Sequence, residues 1–426
     1  MKRLIAPVVL MALVVAAAVP AIAQNDSSVR YALAGEARAL ELAVANNGLT
    51  FGVALSEGDS TPKSAGLGAG QCDLLGSDAD IEDAACNADS TERSKSPGNE
   101  GDIADTCATP DLPPQLDSLL AIDAACGFSQ SGAQGNVPTT SNEGRVTNIE
   151  LTADFSNVSG DLQQVKDDLI EGLEGVIGML PPEAQNLLEE ILLGLDTGNV
   201  GEIKVGRATS DIRTLSGGGV EVESQAGAIK IGLLGVPDLD PQGNPIPGTA
   251  DPLTNGLIII EVGDASSTAS ISGSDFGLSA DADAALIRVK IRDITQVTPT
   301  YIEEEVAPGE TQIILEGTPA ESTITAADTN TEVTSTVALA ASDAVSLHLL
   351  QGNEFMGGIR LGLARTTAAA SLAQDPNESP SPSVKPTTEV SPKELPATGA
   401  DNRLPIALVV IAAAVLVLVL RRRFAR

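Results

Sequence analysis

Hydrophobic and polar positions alternate at both ends of the body of the chain. In "ALELAVANNGLTFGVAL", Leu40, Leu42 and Val44 are separated by Glu41 and Ala43, and Phe51, Val53 and Leu55 alternate on the way back. A period of two marks half-buried strands, and Asn46-Asn47-Gly48 tolerates positive φ at the turn between them. Residues 28–70 are therefore predicted as β structure built on a hairpin. The stretch from Ala338, "ALAASDAVSLHLLQGNEFMGGIRLGLART", repeats this pattern faintly. It also begins Ala-Leu-Ala, turns through a polar glycine segment and returns with Ile359, Leu361 and Leu363 on one face. The repeat predicts that the first and last segments belong to one architecture.

Between these segments the period changes twice. Residues 71–145 are rich in Gly, Ser and Asp and contain all four cysteines, so they are predicted as a loop-rich insertion with little to bury. Over 158–196, Leu162, Val165, Leu169, Leu173, Val176 and Leu180 follow helical i, i+3/i+4 spacing. Pro181-Pro182 breaks the run, and Ala184, Leu187, Leu188, Ile191, Leu192 and Leu195 resume it. This predicts a helical hairpin, apolar on one side and acidic on the other, that covers a face or end of a sheet. From about 200 to 373 the two-residue period returns at Ile203/Val205, Val220/Val222, Ile229/Ile231/Leu233 and Leu257–Val262. In "ALIRVKIRDI", Ile287, Val289 and Ile291 are expected to face inward. Arg288, Lys290 and Arg292 then face out and pair with acids such as Glu221 and Glu223 or Glu303–Glu305. Many short strands with glycine-rich turns predict a mainly β fold, a β-sandwich-like body over 24–373.

Composition narrows the chemistry. Aromatic residues make up 2% of the chain and Trp is absent, against the usual make-up of carbohydrate sites and binding hot spots. The single His348 lies opposite Val345, Leu347 and Leu349 in an alternating strand and has no nucleophile beside it in sequence, so no catalytic residue is assigned. In "PDLDPQGNPIPG", Asp238, Asp240, Gln242 and Gly243 are spaced like the start of a calcium loop. The last ligand position is Thr249 and three prolines intervene, so a plain turn is expected, with no metal and no cofactor. Cys72, Cys86, Cys107 and Cys126 are spaced by 14, 21 and 19 residues without a CxxC pair. Such a clustered even set in an exported chain reads as two disulfides. Three pairings are possible, and the similar loop ends "IEDAAC" and "AIDAAC" favour Cys72–Cys86 with Cys107–Cys126.

The ends of the chain say where the body is placed. Residues 1–23 carry Lys2 and Arg3 ahead of an apolar stretch closing on Ala21-Ile22-Ala23, the layout of a secretory signal peptide. At the C-terminus, Leu395-Pro396-Ala397-Thr398-Gly399 precedes an apolar segment, 404–420, and a basic tail, 421–426. The apolar segment is long enough for one membrane span, and the arginines keep its end cytoplasmic.

Motif, span and basic tail in that order resemble the LPxTG sorting signal of Gram-positive cell-wall proteins, and the Ala/Val/Gly-rich, Lys-poor composition suits a high-GC actinobacterium. The resemblance implies that a sortase attacks the Thr398 carbonyl and releases Gly399 onward. The acyl group then passes to an amine of a peptidoglycan precursor. Pro396 keeps the motif out of a helix, and Gly399 lets the backbone approach the enzyme closely.

Processing at both ends would remove seven basic side chains and one acid, leaving 18 basic and 57 acidic groups, a net charge of −39. Nucleic acid is thereby excluded as a partner. The Pro/Ser/Thr-rich linker 374–394 would reach at most about 65 Å as polyproline II. The expectation is a wall-anchored surface protein with a structural or adhesive ectodomain, its partners being sortase, the peptidoglycan precursor and an extracellular ligand. A wall-anchored hydrolase and a pilus-type subunit are the alternatives.

Overall fold

The computed structural model describes residues 30–44, 47–60, 64–75, 103–109, 120–134, 137–146, 148–152 and 199–373, the last range except 217, 239, 241, 243–245, 247, 274, 293–299, 315–321 and 350–358. The predicted signal peptide, helical hairpin, linker, sorting motif, span and basic tail lie outside them.

Three antiparallel sheets account for most of the described chain, which is mainly β as expected. The first sheet holds β1 (Tyr31–Val44), β2 (Asn47–Asp59), β3 (Ser64–Leu75), β18 (Thr311–Ile314), β19 (Ser322–Thr325), β20 (Thr329–Val333), β21 (Val337–Ser342), β22 (Val345–Leu349) and β23 (Ile359–Leu372). Its order is β18-β19-β22-β23-β1-β2-β3, with β20 and β21 attached to β23. The predicted hairpin is β1–β2, closing at Val44 opposite Asn47 with Leu40 opposite Phe51. The repeat is explained as well: β23 lies against β1 from Tyr31↔Leu372 to Val44↔Ile359, so the first and last segments are neighbours in one sheet.

The second sheet contains β4 (Ile103–Ala108), β6 (Ala125–Gln134), β7 (Val137–Val146), β10 (Arg207–Thr214), β11 (Val220–Gly227), β14 (Ala265–Ile271) and β15 (Leu278–Asp283), in the order β15-β14-β11-β10-β7-β6-β4. The third contains β5 (Leu120–Ile122), β8 (Ile149–Thr152), β9 (Asn199–Lys204), β12 (Ile229–Gly235), β13 (Gly256–Val262), β16 (Ile287–Arg292) and β17 (Tyr301–Val306), ordered β17-β16-β13-β12-β9-β8-β5. The orders match because six strands of one run on into six of the other after one to three residues, as β11 does into β12 through Ala228; β4 and β17 stand outside this continuity. One broad set of strands is thus creased in two. Gly227 and Ala228 take the crease at φ 149° and 57°. The first sheet bends over the same line, where Gly52 (φ 63°) and Ala364 (φ 56°) flank Ala39 and Gly52 approaches Gly144 of β7.

The first and second sheets form the sandwich. At its end Leu33, Ile212, Val220, Val222 and Ile271 make an apolar core, filled out by Ala338, Ala340, Ala368 and Ala370. Toward the crease the interior turns polar. Ser129, Asn142, Ser210, Ser224 and Ser267 stand in one register row across five strands, and all are buried. Their groups satisfy each other: Ser129 Oγ donates to Asn142 Oδ1 at 2.6 Å, and Asn142 Nδ2 donates to Ser56 Oγ at 2.8 Å. Ser56 Oγ donates onward to the Ser210 carbonyl at 2.6 Å. Opposite this row the first sheet supplies glycine. A Cβ on Gly35 would fall 2.5 Å from Ser210 Oγ, so the absence of a side chain there is what lets the sheets close.

This interior corrects the reading of 71–145. The described part from 120 to 146 does not stand apart as a loop-rich insertion, because β6 and β7 are inner strands of the sandwich with Ser129, Ser131, Thr140 and Asn142 buried. Low hydropathy suggests solvent, but Ser129, Thr140 and Asn142 are hydrogen-bonded where they are buried, which lets polar side chains line the space between closely spaced sheets.

Candidate functional site

The described chain leaves the body at one end. Ala373 N donates to Arg30 O at 2.9 Å, just past the Tyr31↔Leu372 pair, so the first and last described residues adjoin at the sandwich end of the long strands. β23 is gripped along its length, by β1 on one side and by β21 and β22 on the other. Residues Leu395 to Gly399 follow beyond the described residues.

Of the four cysteines, Cys107 and Cys126 are joined, their Cα atoms 4.1 Å apart. They stand opposite each other on β4 and β6, so the bond fastens an edge strand to its neighbour. That pairing is the one the sequence favoured. The proposed partner bond includes Cys86, outside the described residues.

Two charged groupings occupy the polar face of the third sheet. In the first, Glu261 of β13 lies between Lys290 of β16 and Lys230 of β12, at 2.9 and 3.4 Å. Burial alone raises the Glu261 carboxyl, but hydrogen bonds and charge from the two lysines hold it below its ordinary value. Of the stripe Arg288, Lys290, Arg292, Lys290 is paired, with Glu261 and not with the expected acids, while Glu221 and Glu223 bind Arg213, each at 2.7 Å. In the second, Glu150 and Glu202 are register neighbours. Burial, then the nearby charges of Asp251, Glu150 and Asp123, push the Glu202 carboxyl up against a lowering bond from Asn148.

Arg292 departs from the prediction. It is 1% exposed, not outward-facing. At the end of β16 its guanidinium turns onto the loop after β12, where Nη1 donates to Val236 O at 2.9 Å and Nη2 to Pro237 O at 3.3 Å. Asp238 Oδ1 lies 3.5 Å away. The charge closes that loop over the end of the third sheet. The calcium-like spacing is likewise used internally: Asp240 Oδ1 accepts from Gln242 N at 2.8 Å, and Thr249 Oγ1 accepts from Asp238 N at 2.7 Å. Thr249 then leads to α1 (Pro252–Asn255), capped by Asp251. Among the described residues no group of three or more His, Cys, Asp or Glu side chains is placed to hold a metal.

His348 is half-buried on the strand face opposite Leu347, where burial and then Arg360 lower its pKa. Among the described residues no helix is long and apolar enough to cross a membrane; 404–420 lies outside them. No protein-family model matches the chain, and no curated protein sequence matches it.

Proposed function

We propose that the protein is an exported surface protein that a sortase cleaves between Thr398 and Gly399 and joins through Thr398 to peptidoglycan, its β body acting as a structural or adhesive ectodomain. The observation that carries this reading is the ordered triplet at the C-terminus: Leu395–Gly399, the apolar 404–420 and the basic 421–426. A disulfide on β4–β6 suits an oxidising, extracellular setting. The body also suits a tethered load. Pull applied through the linker enters at Leu372 and runs along β23, where the ladders to β1, β21 and β22 resist it in shear.

Cell fractionation tests the anchoring. Expressed in a sortase-bearing Gram-positive host, the chain is expected in the muramidase-released wall fraction, and Pro396→Ala or Thr398→Val is expected to move it to the membrane fraction. Equal wall incorporation of wild type and both variants would overturn the proposal.

A further inference from the structure

The two lateral sides of the body are finished differently. On one side β3, β4 and β5 end the three sheets, and Cys107–Cys126 locks β4 down. On the other, β15 ends the second sheet, β17 the third, and β20 and β18 the first. Each of these four has a single strand partner among the described residues. They share a side because β15 lies against β20 and β21, and the chain of β15 runs on into β16 beside β17. Six large apolar side chains are exposed among the described residues, and four sit here: Leu286 (53%), Ile302 (53%), Ile313 (50%) and Val333 (52%). Ile302 is more than an isolated surface residue. It stands in register with Ile291 and, through it, Ile258, so the apolar face of the third sheet runs out to an edge that no strand among the described residues pairs.

Charge decides what could cover that edge. β17 reads "YIEEEV", with Glu303, Glu304 and Glu305 exposed; Glu310 follows in the next turn, and Gln312 of β18 donates to Glu304. Lys290 stands opposite Glu303 but is engaged by Glu261. A second copy would set the same carboxylates against themselves, and directly opposed like charges destabilise strand pairing. A strand alternating Lys or Arg with apolar residues meets both features, its backbone taking the free edge and its cations the glutamates.

We infer that the β17 edge takes an extended cationic polypeptide as an added strand, with Ile302 as its apolar anchor. This surface is independent of the anchoring proposal and would exist on the unprocessed chain. The test titrates the full-length chain with short synthetic peptides alternating Lys–Val or Glu–Val, read by calorimetry and by amide hydrogen exchange. The Lys–Val peptide is expected to bind saturably, one per chain, and to slow exchange within 301–306. Ile302→Lys with Glu303→Gln is expected to weaken it by about tenfold or more, because Glu303 lies on the face that takes the peptide's lysines, and the Glu–Val peptide is expected not to bind. Three results would overturn the inference. One is no saturable binding. Another is binding that ignores the double substitution and leaves 301–306 unprotected, the signature of diffuse attraction to an acidic surface. The third is a self-association of the wild-type chain in sedimentation that the substitutions abolish, which would give the edge to a second copy.

Discussion

At Gly68 the two sheets of the sandwich touch through backbone. A Cβ there would lie 1.9 Å from Phe128 O and 2.3 Å from Glu143 O, neither of which can rotate away. Gly68→Ala is expected to cost about 3 kcal/mol in a urea denaturation series. Gly263→Ala, where the nearest atom is 3.6 Å away, is expected to change stability by less than about 0.5 kcal/mol. Equal midpoints for the two would contradict the close-contact account. Arg292→Met should cost about 3 kcal/mol by the same measurement, because it strands the buried Val236 and Pro237 carbonyls. Neither role could be read from sequence. Gly68 is one glycine among 41, and Arg292 ends an alternating strand whose pattern places it in solvent. What draws it inward is a pair of carbonyls more than 50 positions earlier.

Strands were legible wherever period two coincided with aliphatic residues. β1, β2, β12, β13 and β16 follow from Leu40, Phe51, Ile231, Ile259 and Val289, and the Ala-Leu-Ala repeat places the first and last segments in one architecture, the sheet that β1 and β23 share. β6 and β7 were not legible, because "SQSG" and "TTSNEG" bury serine, threonine and asparagine instead of Leu or Val. A hydroxyl row satisfied from the facing sheet has no signature in hydropathy. The disulfide on this same stretch matters to the element it fastens. Cys107→Ser with Cys126→Ser removes a link across 19 residues. It is expected to cost about 2–4 kcal/mol, with amides of β4 exchanging faster before those of β7 do. Unchanged exchange in β4 would show that the edge holds without the bond.

Across the whole molecule, acidity and burial combine. Burial pushes the carboxyls of Glu57, Asp211 and Asp343 up, against partial relief from Ser141 and Asn142 at Asp211 and from Arg365 at Asp343. A raised folded-state pKa means that the folded chain holds more protons than the unfolded one as pH approaches the carboxyl range, so stability falls with rising pH there. Glu261, held low, and His348, lowered by burial and then Arg360, work the other way. Four raised carboxyls, Glu202 among them, and the repulsion of a net charge of −33 outweigh these, and the melting temperature is expected to be higher at pH 5 than at pH 7. A lower value at pH 5 would contradict this balance. The proposed placement of the body rests on 395–426, where the order of pentapeptide, apolar segment and basic tail carries the resemblance to a sorting signal. Mass spectrometry of muramidase-released wall fragments tests that placement most directly. The account predicts a C-terminal peptide ending at Thr398 and carrying cross-bridge mass, and recovery of a chain ending at Arg426 as the main species would contradict it.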